Sequence, residues 1–221
     1  MKRRFKIAVD VLMFVLFIYL MGYAPGRSGL YEHGVIGMAL FGLFVLHNLL
    51  NIGWYKSLTK GRYPFQRKLF IVTDFALIAD MVLMALSSFM LSGMIFPISV
   101  VQPTQFARTL HVGSTAWGFF IMSMHVGLHT SGIFSAIERQ KRPIAQTLVY
   151  LLYGVILCAG AYSCVDSGMW EKMMLHVKWH EPQELIIFYS EYLSVFLAAS
   201  LAVHLLFKAK GYTAWMKAQA D

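Results

Sequence analysis

Four histidines carry the chemistry in this chain. His33 and His47 are fourteen residues apart, and so are His111 and His125. Each pair lies in an apolar stretch, where an ionisable side chain is costly and is usually retained for function. Fourteen residues is nearly four helical turns, so both members of a pair face almost the same side, about 21 Å apart along the axis. That is most of a hydrocarbon core of about 30 Å. One histidine of each pair therefore belongs near one membrane face and its partner near the other. If the two helices run the same way, His33 and His111 share a level, as do His47 and His125. Two such helices facing each other form two bis-imidazole sites. A zinc ion takes four protein ligands. Two axial imidazoles suit a haem iron, whose other four ligands are porphyrin nitrogens. With both axial positions filled, electron transfer is favoured over oxygen binding.

The elements that must hold these residues follow from composition. Of 221 residues, 58% are hydrophobic and 14% charged, against about 45–50% and about 25% in soluble domains. This excludes a disordered chain, a nucleic-acid-binding domain and an ordinary cytosolic enzyme. Six stretches approach the 20 or so apolar residues that a crossing needs: Ile7–Tyr23, Gly34–Ile52, Leu69–Phe96, Val112–Ile133, Ile144–Val165 and Leu185–Phe207. The net charge of +8 is a topology signal. Fifteen of the nineteen Lys and Arg lie at the N-terminus, in the second and fourth links and in the tail; Arg27, Arg108, Lys172 and Lys178 are the other four. Positive loops stay in the cytoplasm, so six crossings with both termini inside are expected. The first stretch reads as a retained helix rather than a signal peptide, because Asp10 interrupts it and no small-residue cleavage site follows Leu20.

The pairs sit in a tandem repeat. Arg3-Arg4-Phe5-Lys6-Ile7-Ala8-Val9-Asp10 matches Arg67-Lys68-Leu69-Phe70-Ile71-Val72-Thr73-Asp74 in its order of basic, apolar and acidic residues, and each copy is followed by a histidine-pair helix. The expected fold is all-α and integral to the membrane. Residues 1–135 form a di-haem four-helix bundle, and residues 136–221 add two helices with an amphipathic outer loop. Repeats of this kind place shared sites at their interface.

The string Glu32-His33-Gly34-Val35-Ile36-Gly37, then Val45-Leu46-His47-Asn48-Leu49-Leu50-Asn51-Ile52-Gly53-Trp54, with Arg108-x-x-His111 and Met124-His125-Val126-Gly127-Leu128-His129, resembles the di-haem membrane b-type cytochromes called flavinylation-associated cytochromes. The resemblance covers roughly residues 1–135. It implies two haem b groups, exchange with the quinone pool, and a flavin, iron–sulfur or multihaem partner subunit in a bacterial or archaeal cytoplasmic membrane. No Cys-x-x-Cys-His is present, so the haem would be non-covalent. Cys158 and Cys164 lie on different helix faces, and the fourteen methionines are packing residues.

Other residues take secondary parts. His129 lies one turn beyond His125 and competes with it as ligand, or contacts a propionate, or conducts protons. Arg27 and Arg108 are candidates for the outer haem propionates. Lys56, Arg62, Arg67 and Lys68 are inner candidates, though topology alone demands charge there. Gly34, Gly37, Gly42, Gly113 and Gly118 either admit a porphyrin or let helices approach. Asp10 and Asp74 are expected to cap helices or pair with nearby Arg and Lys, and Asp80 to join a hydrogen-bonded pair. Met169–Val177 reads as a helix lying in the interface; His176 and His180 there, with Glu191, form a docking surface or line an outer quinol pocket. His204 reads as an interfacial histidine. The competing functions are a histidine-based transporter or metal permease, and a haem-bearing anchor of a larger oxidoreductase.

Overall fold

The computed structural model describes residues 2–22, 29–61, 63–94, 103–139, 142–176 and 183–220, with side chains from residue 3 to residue 211. It is helical, with no strand among the described residues. The elements are α1 (Lys2–Met21), α2 (Leu30–Leu50), α3 (Ile52–Ser57), α4 (Phe65–Leu91), α5 (Gln105–Glu138), α6 (Pro143–Asp166), α7 (Met169–Met173) and α8 (Leu185–Ala220). Boundaries have local causes. The Thr104 hydroxyl accepts from the Ala107 N–H at 3.1 Å and caps α5. Pro143 occupies the first turn of α6, where its missing N–H costs nothing. Gly168, at φ +66°, makes the left-handed corner between α6 and α7.

Among the described residues five helices are long and apolar enough to cross a membrane: α2, α4, α5, α6 and the Leu185–Gly211 part of α8. The first helix is not among them, because any stretch of it long enough contains Arg4, Lys6 and Asp10. Lipid contact is written on the surface. Ile144, Leu148, Leu151, Val155 and Tyr162 recur at helical spacing on α6, and all are exposed. An apolar stripe of that length facing outward needs hydrocarbon around it.

The helices pack as hairpins. The first and second pair, α4 pairs with α5, and α6 pairs with α8, while α5 also runs along α8 and under α7. Small residues allow the close crossings. Gly127 of α5 faces the Ser200 backbone, and the Ser200 hydroxyl donates to the Ser123 carbonyl at 2.9 Å. Gly160 of α6 faces Ala198 and Ser194 of α8. The core gathers Phe17, Leu40, Ala116, Phe119, Met169, Met173, Tyr192 and Val195. In α2, Leu40 is the one buried position among the described residues. The α1–α2 hairpin is therefore the loosely held part of the molecule.

Candidate functional site

The histidine helices are α2 and α5, and the structure brings together His33 and His111, the pair expected at the outer level. The rings of His33 and His111 have centroids 6.1 Å apart and planes 76° apart. Two imidazoles on opposite sides of one metal ion, each bonded at about 2 Å, would put their ring centres about 6 Å apart. His111 is oriented by α4: its Nδ1 lies 3.3 Å from Ser87 Oγ and 3.2 Å from Ser88 Oγ. Ser87 Oγ spends its proton on the Met84 carbonyl at 2.9 Å, so it accepts from His111. That leaves His111 Nε2 as the lone-pair nitrogen.

At the inner level the repeat recurs atom for atom. Asp10 Oδ1 accepts from His47 Nδ1 at 2.7 Å, and Asp74 Oδ1 from His125 Nδ1 at 2.8 Å. Each aspartate closes the repeat's basic–apolar motif, and each bonds the inner histidine of its own copy. Neither pairs with Lys or Arg among the described residues, so the expected role of these aspartates is replaced by a histidine clamp. A cap residue needs a free helix terminus, but Asp10 and Asp74 are well inside their helices. The motif match was the available signal. A carboxylate on the far nitrogen fixes the tautomer and raises the basicity of Nε2.

His129 belongs to the same level. Its ring centroid is 4.8 Å from that of His125 and 5.1 Å from that of Phe70. It also lies within electrostatic reach of His47, Asp10 and Asp74. It lacks the carboxylate clamp that both His47 and His125 have.

No family model, curated protein or solved structure matches this chain. The site has to be judged on its own geometry.

That geometry separates the remaining candidates. Gly118 is seven residues from both His111 and His125, on their face, and a Cβ there would meet Asp80 Oδ2 and Met84. Gly113 faces Leu175 in the same way. These two glycines serve helix packing. Gly37 and Gly42 have open space where a Cβ would be, but only Gly37, one turn from His33, is on the histidine face. Arg108 is one turn from His111, on its N-terminal side. Arg27 and Arg62 lie outside the described residues. Arg67 donates to the carbonyls of Ser57 and Lys60, both at 2.6 Å, and stacks on Tyr63 at 4.3 Å. It clamps the loop before α4.

Three further expectations are revised. Asp80 is buried, and its Oδ2 has no hydrogen-bond partner among the described residues, so the expected pair is absent there. His204, expected as an interfacial histidine, is buried among protein partners: it stacks on Phe134, with Glu138 Oε1 at 3.1 Å from Nε2 and Ser131 Oγ at 3.1 Å from Nδ1. Burying an imidazole demands such partners. The segment after α6, expected as one amphipathic helix, is the five-residue α7 and a turn packed on the core. Met169 and Met173 turn into the core while Trp170 stays out, and Leu175 closes the turn at φ +61°. Lys172 Nζ there donates to Ser167 O and Tyr192 OH, both at 3.3 Å, and burial lowers its pKa against the opposing pull of Glu191. Glu191 itself bonds Asp166 and Gln183. His176 is exposed, and His180 lies outside the described residues.

Proposed function

We propose that this chain is a di-haem membrane cytochrome b that carries electrons across the bilayer, akin to the flavinylation-associated cytochromes. In this reading α1 supplies a sixth crossing, and both termini face the cytoplasm. His33 and His111 would hold the outer haem b through Nε2, and His47 and His125 the inner one. The observation that carries the proposal is the 6.1 Å spacing of the His33 and His111 rings on two separate helices. The two Asp–His clamps support the inner site, since each puts the lone pair on Nε2; at His47 the Asn51 amide, 3.5 Å from that nitrogen, would give way to the iron. When bound, the haems would supply one-electron redox centres.

The chain's own residues do the rest. The serines and aspartates orient the imidazoles. Gly37 leaves room on the histidine face, Arg108 offers a cation at the outer level, and the lipid-facing helices exclude water. Quinone or quinol and a redox subunit carrying flavin, iron–sulfur or multihaem centres are the proposed exchange partners. On that account the chain is the electron-transfer subunit, or the haem-bearing anchor, of an oxidoreductase complex. A metal permease needs more ligands than two imidazoles. Among the described residues no group of three or more His, Cys, Asp or Glu is arranged around a common point.

The test is a pyridine haemochrome assay of purified protein. About two haem b per chain is the expected result. A colourless protein, or one carrying stoichiometric zinc, would refute the reading.

A further inference from the structure

The two histidine levels present different chemistry behind their imidazoles. At the inner level the acceptors are carboxylates, Asp10 at 2.7 Å from His47 and Asp74 at 2.8 Å from His125. At the outer level the acceptors for His111 are all neutral: serine hydroxyls at 3.2 and 3.3 Å and the Met84 carbonyl. Hydrogen bonds to an ionised acceptor are shorter and about twice as strong as neutral ones, and these distances follow that order. An imidazole that donates to a carboxylate gains imidazolate character and becomes the stronger electron donor through its other nitrogen. A metal held by such nitrogens favours its higher charge. The carboxylates' own negative charge acts the same way, because adding an electron beside an anion in a low-dielectric surround is unfavourable. Of the nearby cations, Lys6 reaches the inner level only through an amide: its Nζ donates to Asn51 Oδ1 at 3.1 Å, and Asn51 Nδ2 lies 3.5 Å from His47 Nε2. Arg67 is bonded to loop carbonyls.

We infer that Asp10 and Asp74 are positioning residues that make the inner level the lower in potential, so that electrons run downhill from the inner to the outer face. The inference rests on the proposed di-haem function. In that step one electron leaves the inner level, which is oxidised, and reduces the outer level; no proton or group moves with it. The donor to the inner level is a hydroquinone or a reduced protein centre, and the acceptor at the outer face is a one-electron redox partner.

The experiment is a redox titration of the purified, haem-loaded full chain at one fixed pH, with EPR at each step. Two potentials are expected. Asp74→Asn and Asp10→Asn should each raise the lower one and leave the upper one in place. The expected change is at least tenfold in the reduction equilibrium, about 59 mV for one electron. Asp74→Glu should restore most of it. The inner EPR signal should shift in the Asn variants, which a merely structural role would not produce. Ser88→Asp supplies the converse: a carboxylate beside His111 should lower the upper potential. This variant also decides the matter should an Asn variant lose its inner haem. An upper potential that moves with Asp74→Asn, or two potentials indifferent to all these changes, would overturn the inference. A wild-type chain without haem overturns the functional reading, and this inference with it; two haems with indifferent potentials overturn the inference alone.

Discussion

The outer and inner histidine levels are built by the same two helices, yet they are held in different ways. At the inner level both imidazoles are clamped by carboxylates from the preceding helix of their own repeat copy. At the outer level His111 leans on two serines of α4. The repeat therefore keeps its geometry at one histidine level more strictly than at the other. Each copy of the repeat can orient its inner histidine alone, whereas the outer pair depends on α2 and α5 meeting. The difference teaches that the ligand set and its supporting partners are separable features, and each can be tested separately.

The largest effect should come from the ligands. His125→Ala should halve the haem content, and His129→Ala should leave it at two per chain, measured by haemochrome absorbance. If His129→Ala instead removed the inner haem, the clamp would not mark the ligand. Next come the supporting partners. Asp74→Asn should weaken inner haem binding about 10–100-fold, and Ser87→Ala with Ser88→Ala should weaken outer binding less than that, read by haem titration of the apoprotein. A larger loss from the serine pair would reverse the comparison.

The glycines give a smaller contrast. Gly118→Ala sets a methyl against Asp80 and Met84 and should cost about 1–3 kcal/mol, seen as a lowered unfolding temperature. Gly37→Ala meets no atom of the chain. It should leave the apoprotein's stability alone and lower outer haem occupancy only. The finest distinction is spectroscopic. The planes of His33 and His111 are 76° apart; around a bound haem iron that angle would bring two d orbitals close to the same energy and leave orbital momentum unquenched. The outer haem should give a strongly anisotropic low-spin EPR signal, and its loss in His33→Ala would assign it.

Much of this site was legible in the sequence because membrane helices expose their chemistry. Four histidines in apolar runs and a spacing of fourteen residues are visible without any fold. The five apolar helices were equally plain, since lipid demands long uninterrupted stretches. Less visible were contacts that depend on how hairpins close. The His47–Asp10 bond spans 37 positions and needs α1 against α2. The motif shared by Asp10 and Asp74 was a sufficient clue, but charge pairing with the adjacent Arg and Lys was the simpler local reading. His204 was misplaced because its partners, Glu138 and Ser131, come from α5, more than 60 positions away. The dip of Met169 and Met173 into the core reverses the amphipathic reading for a similar reason: the face they occupy is set by α5 beneath them.

One midpoint position carries a consequence of another kind. Leu40 sits halfway between the histidines of α2 and is buried, with Leu16 of α1 packed against the same cluster. The repeat-equivalent residues in the second half are Gly118 and Asp80, where a carboxyl takes the space of a missing side chain. Two first halves joined together would crowd leucines at the centre, and two second halves would bring paired acids there instead. The halves have diverged into complementary parts. A chimera made by exchanging them would not rebuild the molecule, and the symmetry of the repeat survives at the paired histidines and the two aspartates that clamp them.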